Sequence, residues 1–334
     1  MAIRHELAPV PGLRLGLRPT DPARLEAAMT LPLRTGFTPP HPLAADHITA
    51  VRRWVLGGND QFGTCGPTSV ANYLVLLHWY LTGELISVTD EAVFALYRAS
   101  GNPDFDPATG AGDNGVDMTV MLSALLTVGL DITHADGTTE NIKPLCYAKF
   151  PAGNLDDIRA VTDIFGATIW AVNLLVAQQA QTGGVPPVWD YVAGSPEWGG
   201  HAVAGGAYTS VNAPHRVDLT DVSWEIPIGT TDAFLSEQLQ EVYCVVWPLL
   251  WNQPGFEATV DKPQLAADYT AVTGKPFPVP VPAPPAPVPP GPVPASLADQ
   301  ALAAYAEPWI SHRHTGDNAR MASKLRTWLH DKGF

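Results

Sequence analysis

Asn59-Asp60-Gln61-Phe62-Gly63-Thr64-Cys65-Gly66-Pro67-Thr68-Ser69 is the stretch on which the fold turns. Irregular, glycine-bearing sequence runs here straight into an apolar pattern at Val70, Tyr73, Leu74, Leu77 and Leu81, the spacing of a helix. Pro67 suits a first helical turn and Gly83 suits the stop. Cys65 is therefore expected at a helix N-terminus. Unpaired backbone N–H groups and the helix dipole there favour a thiolate, the form of cysteine that attacks carbonyl carbon.

A second motif lies far downstream. Trp198-Gly199-Gly200-His201-Ala202-Val203-Ala204-Gly205-Gly206-Ala207-Tyr208 reads as a glycine turn entering a short buried strand, with His201 at its first position. His201 follows Cys65 by 136 residues, within the roughly 130–150 that separate cysteine and histidine in papain-like enzymes. A cysteine opening a helix, then a histidine opening a strand, resembles the papain-like cysteine peptidase superfamily over roughly residues 50 to 250. The Cys-Gly-Pro-Thr run is also similar to the peptidase domains of bacteriocin transporters. The resemblance implies an α+β fold, a helical part followed by an antiparallel barrel-like sheet, and cleavage of peptide or amide bonds.

Such chemistry needs a thiol, a base, a group that orients the base and an oxyanion donor. Cys65 and His201 supply the first two. The Cys65 backbone N–H is half of an oxyanion hole, and a side-chain amide supplies the other half in the family, six positions before the cysteine. That position is Asn59, while Gln61 has the longer amide four positions before; register favours Asn59. The family orients its histidine with an Asn-Ser-Trp-Gly stretch. The matching residues are Val222-Ser223-Trp224-Glu225, where Trp224 fits and Val222 has no hydrogen-bonding side chain. Asp221 is the adjacent candidate and Asp218 a further one. Gly66 also departs from the family, which carries an aromatic after the cysteine. Gly112-Asp113-Asn114-Gly115-Val116-Asp117 is similar to the segment that lines the family's substrate cleft. Asn114, Gly115, Trp198, Gly200 and Trp224 are the expected cleft residues.

The totals narrow the field. The chain has 334 residues, 46% of them hydrophobic, which suffices for a sizeable core. A formal charge of −14 argues against nucleic acid or an anionic membrane as the main partner. Three cysteines are too few for a disulfide scaffold; a Cys146–Cys244 bridge is possible on paper, and two reduced core thiols are preferred. No run is long and apolar enough for a transmembrane helix, and no signal peptide is apparent. No cofactor is expected.

Organisation along the chain follows from proline. Pro9, Pro11, Pro19, Pro22, Pro32, Pro39, Pro40 and Pro42 break almost every element in residues 1–50, leaving only a short helix within Asp21 to Met29. Leu13, Leu15, Leu17, Leu31, Leu33 and Phe37 mark this segment as an extended arm lying on the domain or on a neighbouring subunit rather than a solvated tail. Residues 51–273 form the main domain. Helices are expected over Asp90 to Arg98, Met118 to Val128, Asn154 to Phe165 and Thr231 to Gln240. Strands are expected over Ala167 to Val176, Val217 to Ile228 and Val242 to Trp247, and Gln178 to Gly200 is expected to be a loop. Asp104, Asp106, Asp113 and Asp117 sit in a loop without the glutamate of an EF-hand, so a polar surface loop is preferred to a calcium site. Residues 274–295 alternate proline with Val and Ala and are expected to be a semi-rigid polyproline spacer reaching about 70 Å. Residues 296–334 are expected to be a small helical attachment module with apolar Leu302, Trp309 and Trp328; His312 and His314 lack the companions of a metal site.

Two functions remain open on sequence: a papain-like cysteine hydrolase acting on peptide or protein, and a structural or adhesive component of a large assembly built on the same scaffold. The layout is similar to papain-like proteins of actinobacterial phages, which implies a virion or tail setting with assembly through the arm and residues 296–334. Localisation is not legible.

Overall fold

The computed structural model describes residues 12–33, 42, 44–210 and 213–279. Phe37, most of the proline spacer and the whole C-terminal module lie outside the described residues.

The elements follow the chain as α1 (Pro22–Ala27), β1 (Ala45–Asp46), α2 (Cys65–Thr82), α3 (Asp90–Ala99), α4 (Met118–Val128), β2 (Leu130–Thr133), β3 (Thr139–Ile142), β4 (Cys146–Phe150), α5 (Leu155–Phe165), β5 (Thr168–Leu175), α6 (Ala177–Thr182), β6 (Val188–Trp189), β7 (Glu197–Tyr208), β8 (Val217–Ser223), β9 (Ile226–Thr231), α7 (Asp232–Gln238), β10 (Leu239–Val246), α8 (Pro254–Thr259) and α9 (Lys262–Thr273). Helices α2–α4 come first. The main sheet follows, in the order β4-β10-β5-β7-β8-β9-β6, with β1 on β7. It is antiparallel apart from the β6–β9 pair, so the expected α+β plan holds.

Helix α2 is the hub. Every residue from Cys65 to His78 is buried, which requires an apolar sequence on all sides rather than one stripe. It lies against β7. Its few polar side chains are satisfied: Asn72 accepts from Val55 N and donates to Val55 O, clamping the approach to the cysteine loop, and Tyr73 Oη donates to Phe165 O and Val245 O, tying the helix to the sheet. Gly83 closes the helix in the left-handed conformation, its N–H on Trp79 O.

Three expectations are corrected. Val217 to Ile228 is not one strand but the hairpin β8–β9, turning at Trp224 and Glu225, both at positive φ (47° and 63°). Two-residue hairpin turns with two positive-φ residues favour Asn-Gly, so composition hid this one. Gln178 to Gly200 is not a loop throughout: it holds α6, β6 and the start of β7. Consequently His201 is an interior residue of a twelve-residue strand, not its first.

Residues 12–33 pack on the rest of the chain. Leu13, Leu15, Leu17, Leu25 and Leu33 pack against the core, and Met29 and Leu31 are buried in it. The aspartates of the polar loop serve as turn and cap acceptors: Asp106 for Ala108 N, Asp117 for Thr119 N and Val120 N at the start of α4. No group of three or more His, Cys, Asp or Glu among the described residues could hold a metal ion. Cys146 and Cys244 are separate buried thiols, on adjacent strands. Among the described residues no helix is long and apolar enough to cross a membrane.

Candidate active site

Cys65 is the first residue of α2, as its sequence neighbours require. The loop before it is shaped from inside. Gly57 and Gly58 take positive φ, Thr64 Oγ1 donates to Gly57 O, and the Asp113 carboxylate accepts both the Gly63 N–H, at 3.0 and 3.2 Å, and Tyr97 Oη–H, at 2.6 Å. Gly66 has no room for a side chain, because even a Cβ would stand 2.7 Å from Val116 Cγ2.

The strand half of the site arrives through β7. The backbone N–H of Ala202, directly after His201, stands near enough to the Cys65 sulfur to pull its pKa down, so the two distant motifs come together. His201 is fully buried. Its Nε2 lies 2.6 Å from Ser223 Oγ, and Nδ1 has no hydrogen-bond partner among the described residues. Trp224 stacks on the imidazole at 4.2 Å and 14°, Trp198 stacks on Trp224 in turn, and Trp189 meets the imidazole edge-on from within the core. Trp224 Nε1 donates to Asn59 O, joining the sheet half to the cysteine loop. The strained turn has a local rationale: positive φ at Trp224 and Glu225 accompanies an indole laid flat over His201.

Asp221 does not orient the histidine, and this corrects the sequence expectation. It is buried on β8 between Gly205 and Ile228, with neither oxygen hydrogen-bonded, and burial pushes its pKa well above the usual carboxylate range. Asp218 is taken by the buried guanidinium of Arg159. Ser223 is the residue that sequence reasoning passed over. Its signal was present in the Ser-Trp dipeptide, but it emerges only once the strand is seen to end there.

The amide candidates separate. Asn59 is buried, and its Nδ2 donates to Arg14 O (3.2 Å) and Phe62 O (3.0 Å). Gln61 is exposed, and its side-chain amide donates to Asp60 Oδ2. Of the two carbonyls that Asn59 holds, that of Arg14 belongs to the N-terminal arm.

That arm lies along the expected cleft residues. Residues 14–18 run between the expected cleft walls, with isolated bridges from Leu17 to Val116 and Gly200: Arg14 N–H donates to Asn59 O, Leu17 N–H to Gly200 O and Arg18 N–H to Val116 O, while Val116 N–H donates to Gly16 O. The Gly16 backbone N–H stands near enough to the Cys65 sulfur to pull its pKa down. Leu15 lies against Gly199. Asn114 stands outside this pairing, donating to Gly112 O through its side chain.

Covering changes the electrostatics. Cys65 is 1% exposed, and burial pushes its thiol up to about 11 despite the N–H groups of Ala202, Gly16 and Gly66 pulling the other way. Burial likewise pushes His201 down to about 3. The expected thiolate at the helix end is thus absent in the covered state, because desolvation outweighs the helix N-terminus. Both groups are neutral at pH 7.

No protein-family model matches the sequence, and no curated protein matches it. Solved structures do. Xylellain, a cysteine protease from Xylella fastidiosa, superposes with a TM-score of 0.51 at 10% identity, over 72% of this chain and 98% of its own. A procathepsin B from Trypanosoma congolense matches with a TM-score of 0.48 at 11% identity, over 70% of this chain and 86% of its own. A digestive procathepsin L from the larval midgut of Tenebrio molitor matches at 0.45 and 13% identity, over 67% of this chain and 77% of its own. At such identities the likeness speaks to the scaffold: the fold of this chain is that of the papain-like cysteine proteases.

Proposed function

We propose that the protein is a cysteine hydrolase that cleaves peptide or amide bonds, with Cys65 as nucleophile and His201 as base, held latent in this state by its own arm. The observation that carries the reading is the meeting of the two motifs. The backbone N–H of the residue after His201 stands close enough to the sulfur at the start of α2 to pull its pKa down, and the far nitrogen of that histidine lies on Ser223 under an indole.

The chemistry follows from these groups. With Nε2–H donating to Ser223 Oγ, the Nδ1 lone pair is free to take the thiol proton. The thiolate attacks the carbonyl carbon, and the carbonyl electrons move to oxygen, where the Cys65 N–H and the Asn59 amide are the donors. His201 returns its proton to the departing amine, leaving a thioester. Water, deprotonated by the same imidazole, releases the acid and restores the thiol. Trp224 shields the His201–Ser223 bond from water. Asp221 has no part in this scheme, and Gln61, facing solvent, has none either.

The first step needs the arm displaced. The test is hydrolysis of a peptide library by the full chain carrying Gly16→Leu, with Cys65→Ala in the same background as its control. Turnover that disappears with Cys65→Ala, or with His201→Ala, is the expected result. Turnover that survives Cys65→Ala, or no turnover by a chain whose Cys65 is freely alkylated, overturns the hydrolase reading.

A further inference from the structure

The arm displays which side chains the cleft accepts at each position. Gly16 passes between two other glycines. A Cβ on Gly16 would run into the backbone of Gly63, and a Cβ on Gly115 would run into the Gly16 carbonyl. Both obstacles are backbone, held on one side by the Asp113–Gly63 hydrogen bonds and on the other by Val116 N–H on Gly16 O, so neither can swing aside as a side chain would. Two residues earlier, Arg14 Nη2 lies 3.8 Å from Asp113 Oδ2. The Asp113 carboxylate is 11% exposed, and Gly63 N–H and Tyr97 Oη–H fix its orientation. Such a group offers a preset partner for a cation.

We propose that Asp113, Gly63 and Gly115 make this cleft selective for an extended peptide with a cationic residue followed two positions later by glycine, the pattern of Arg14-Leu15-Gly16. The proposal deepens the hydrolase reading by naming a ligand class for the same cleft, and its recognition step is separable from catalysis. Leucines flanking the glycine rest on Gly199 and Gly200, so apolar neighbours complete the pattern. Asp113 is a specificity-determining residue and takes no part in bond breaking.

Two measurements test it, and neither requires turnover. The first uses the full chain with Arg14→Glu, compared with Arg18→Glu, which changes net charge equally at an exposed position. Placing a like charge against Asp113 should loosen the arm and raise the rate of Cys65 alkylation by iodoacetamide about tenfold, an effect that fades in 1 M salt. Arg18→Glu should raise it less than threefold. Equal rates for the two variants overturn the role of Asp113. The second uses full-chain Gly16→Leu and the free hexapeptide Leu-Arg-Leu-Gly-Leu-Arg as probe. The hexapeptide should protect Cys65 from alkylation. Its Gly→Ala form should need about a hundredfold higher concentration, and the form with Glu at the second position about tenfold higher. Asp113→Asn should erase the second difference and leave the first. An alanine form that protects as well as the parent overturns the glycine requirement, and failure of the parent to protect a reactive Cys65 overturns the proposal. Protection with the expected ranking but no peptide cleaved overturns the hydrolase reading and leaves the recognition standing.

Discussion

The helix end that carries the thiol and the hairpin that carries the histidine's partners are built in different ways. Around Cys65, local sequence does most of the work: a glycine loop, a proline in the first turn, fourteen buried residues running from the cysteine. Around His201, three pieces from separate parts of the sheet converge, and the contacts that matter are Ser223 on Nε2 and Trp224 on the ring face. Both halves bury a titratable group, and in each burial sets the direction of the pKa shift, upward for Cys65 and downward for His201. They differ in what is reversible. The thiol is covered by an arm that is joined to the cleft mainly by backbone hydrogen bonds, whereas the imidazole is enclosed by the sheet itself. Displacing the arm should therefore change the thiol far more than the base.

The largest expected effect breaks the comparison on the thiol side. Gly16→Leu should expel the arm and let the thiol fall from about 11 toward the ordinary cysteine value, raising alkylation near pH 8 by about a hundredfold or more. A stopped-flow alkylation series against pH checks this, and a profile unchanged from the wild type would show that something other than the arm covers Cys65.

Trp224 tests the histidine side. Trp224→Ala should cost about 3 kcal/mol or more of stability as a large buried aromatic is removed, and Trp224→Asn should recover part of that loss, because asparagine tolerates positive φ. In both variants His201 should titrate closer to 6.5, its folded pKa rising as water reaches the ring. The sign follows: a folded pKa of about 3 lies below the unfolded value, so neutral His201 contributes stability above about pH 6.5 that is lost as pH falls toward 3. Acid denaturation of Trp224→Asn should accordingly be shallower over that window. Imidazole resonances followed by NMR decide it.

Ser223→Ala should lower turnover about tenfold with little change in apparent substrate binding, since it frees the ring without removing the base. An unaltered kcat would mean that Trp224 alone orients His201. The smallest effect belongs to Asp221. Its folded pKa is raised, so in the window above about 3.8 the unfolded chain gives up a proton that the folded chain keeps, and stability falls as pH rises. Asp221→Val should therefore stabilise the protein by about 1 kcal/mol at pH 8 and less at pH 4, with Cys65 alkylation unaffected. Differential scanning calorimetry at the two pH values measures it; a loss of stability at pH 8 would show that a bound water or ion satisfies the carboxyl.

Much of this was legible in the chain. Helix periodicity after Cys65, the helices expected over Met118 to Val128 and Asn154 to Phe165, and the apolar run that became β5 are local signals, and the structure honours each. Register favours Asn59 over Gln61, and the Asn59 amide is buried on the Arg14 and Phe62 carbonyls. The histidine's partner was not legible, because a one-residue question of strand parity depended on where β8 ended. Ser223 is the last residue of the strand and Trp224 begins a turn in a conformation that neither Trp nor Glu favours. No local propensity announces such a turn; packing of the indole on His201 and its bond to Asn59 O accompany it.

Sequence by itself determined the elements and their order: a cysteine opening a buried helix, a histidine in a buried strand, helices first and an antiparallel sheet after, an arm rich in proline with leucines to anchor it. These depend on periodicity, capping and glycine or proline geometry, all of which act within a few residues. Tertiary structure alone decided the state of the site. It brought Gly16 near the Cys65 sulfur, and through burial it reversed the thiolate that the helix end would have favoured. It chose Ser223 over Asp221 and left that carboxyl without a partner. The physical reason is range: a helix end acts on its own first turn, whereas desolvation is set by whatever segment, however distant along the chain, comes to lie over the group.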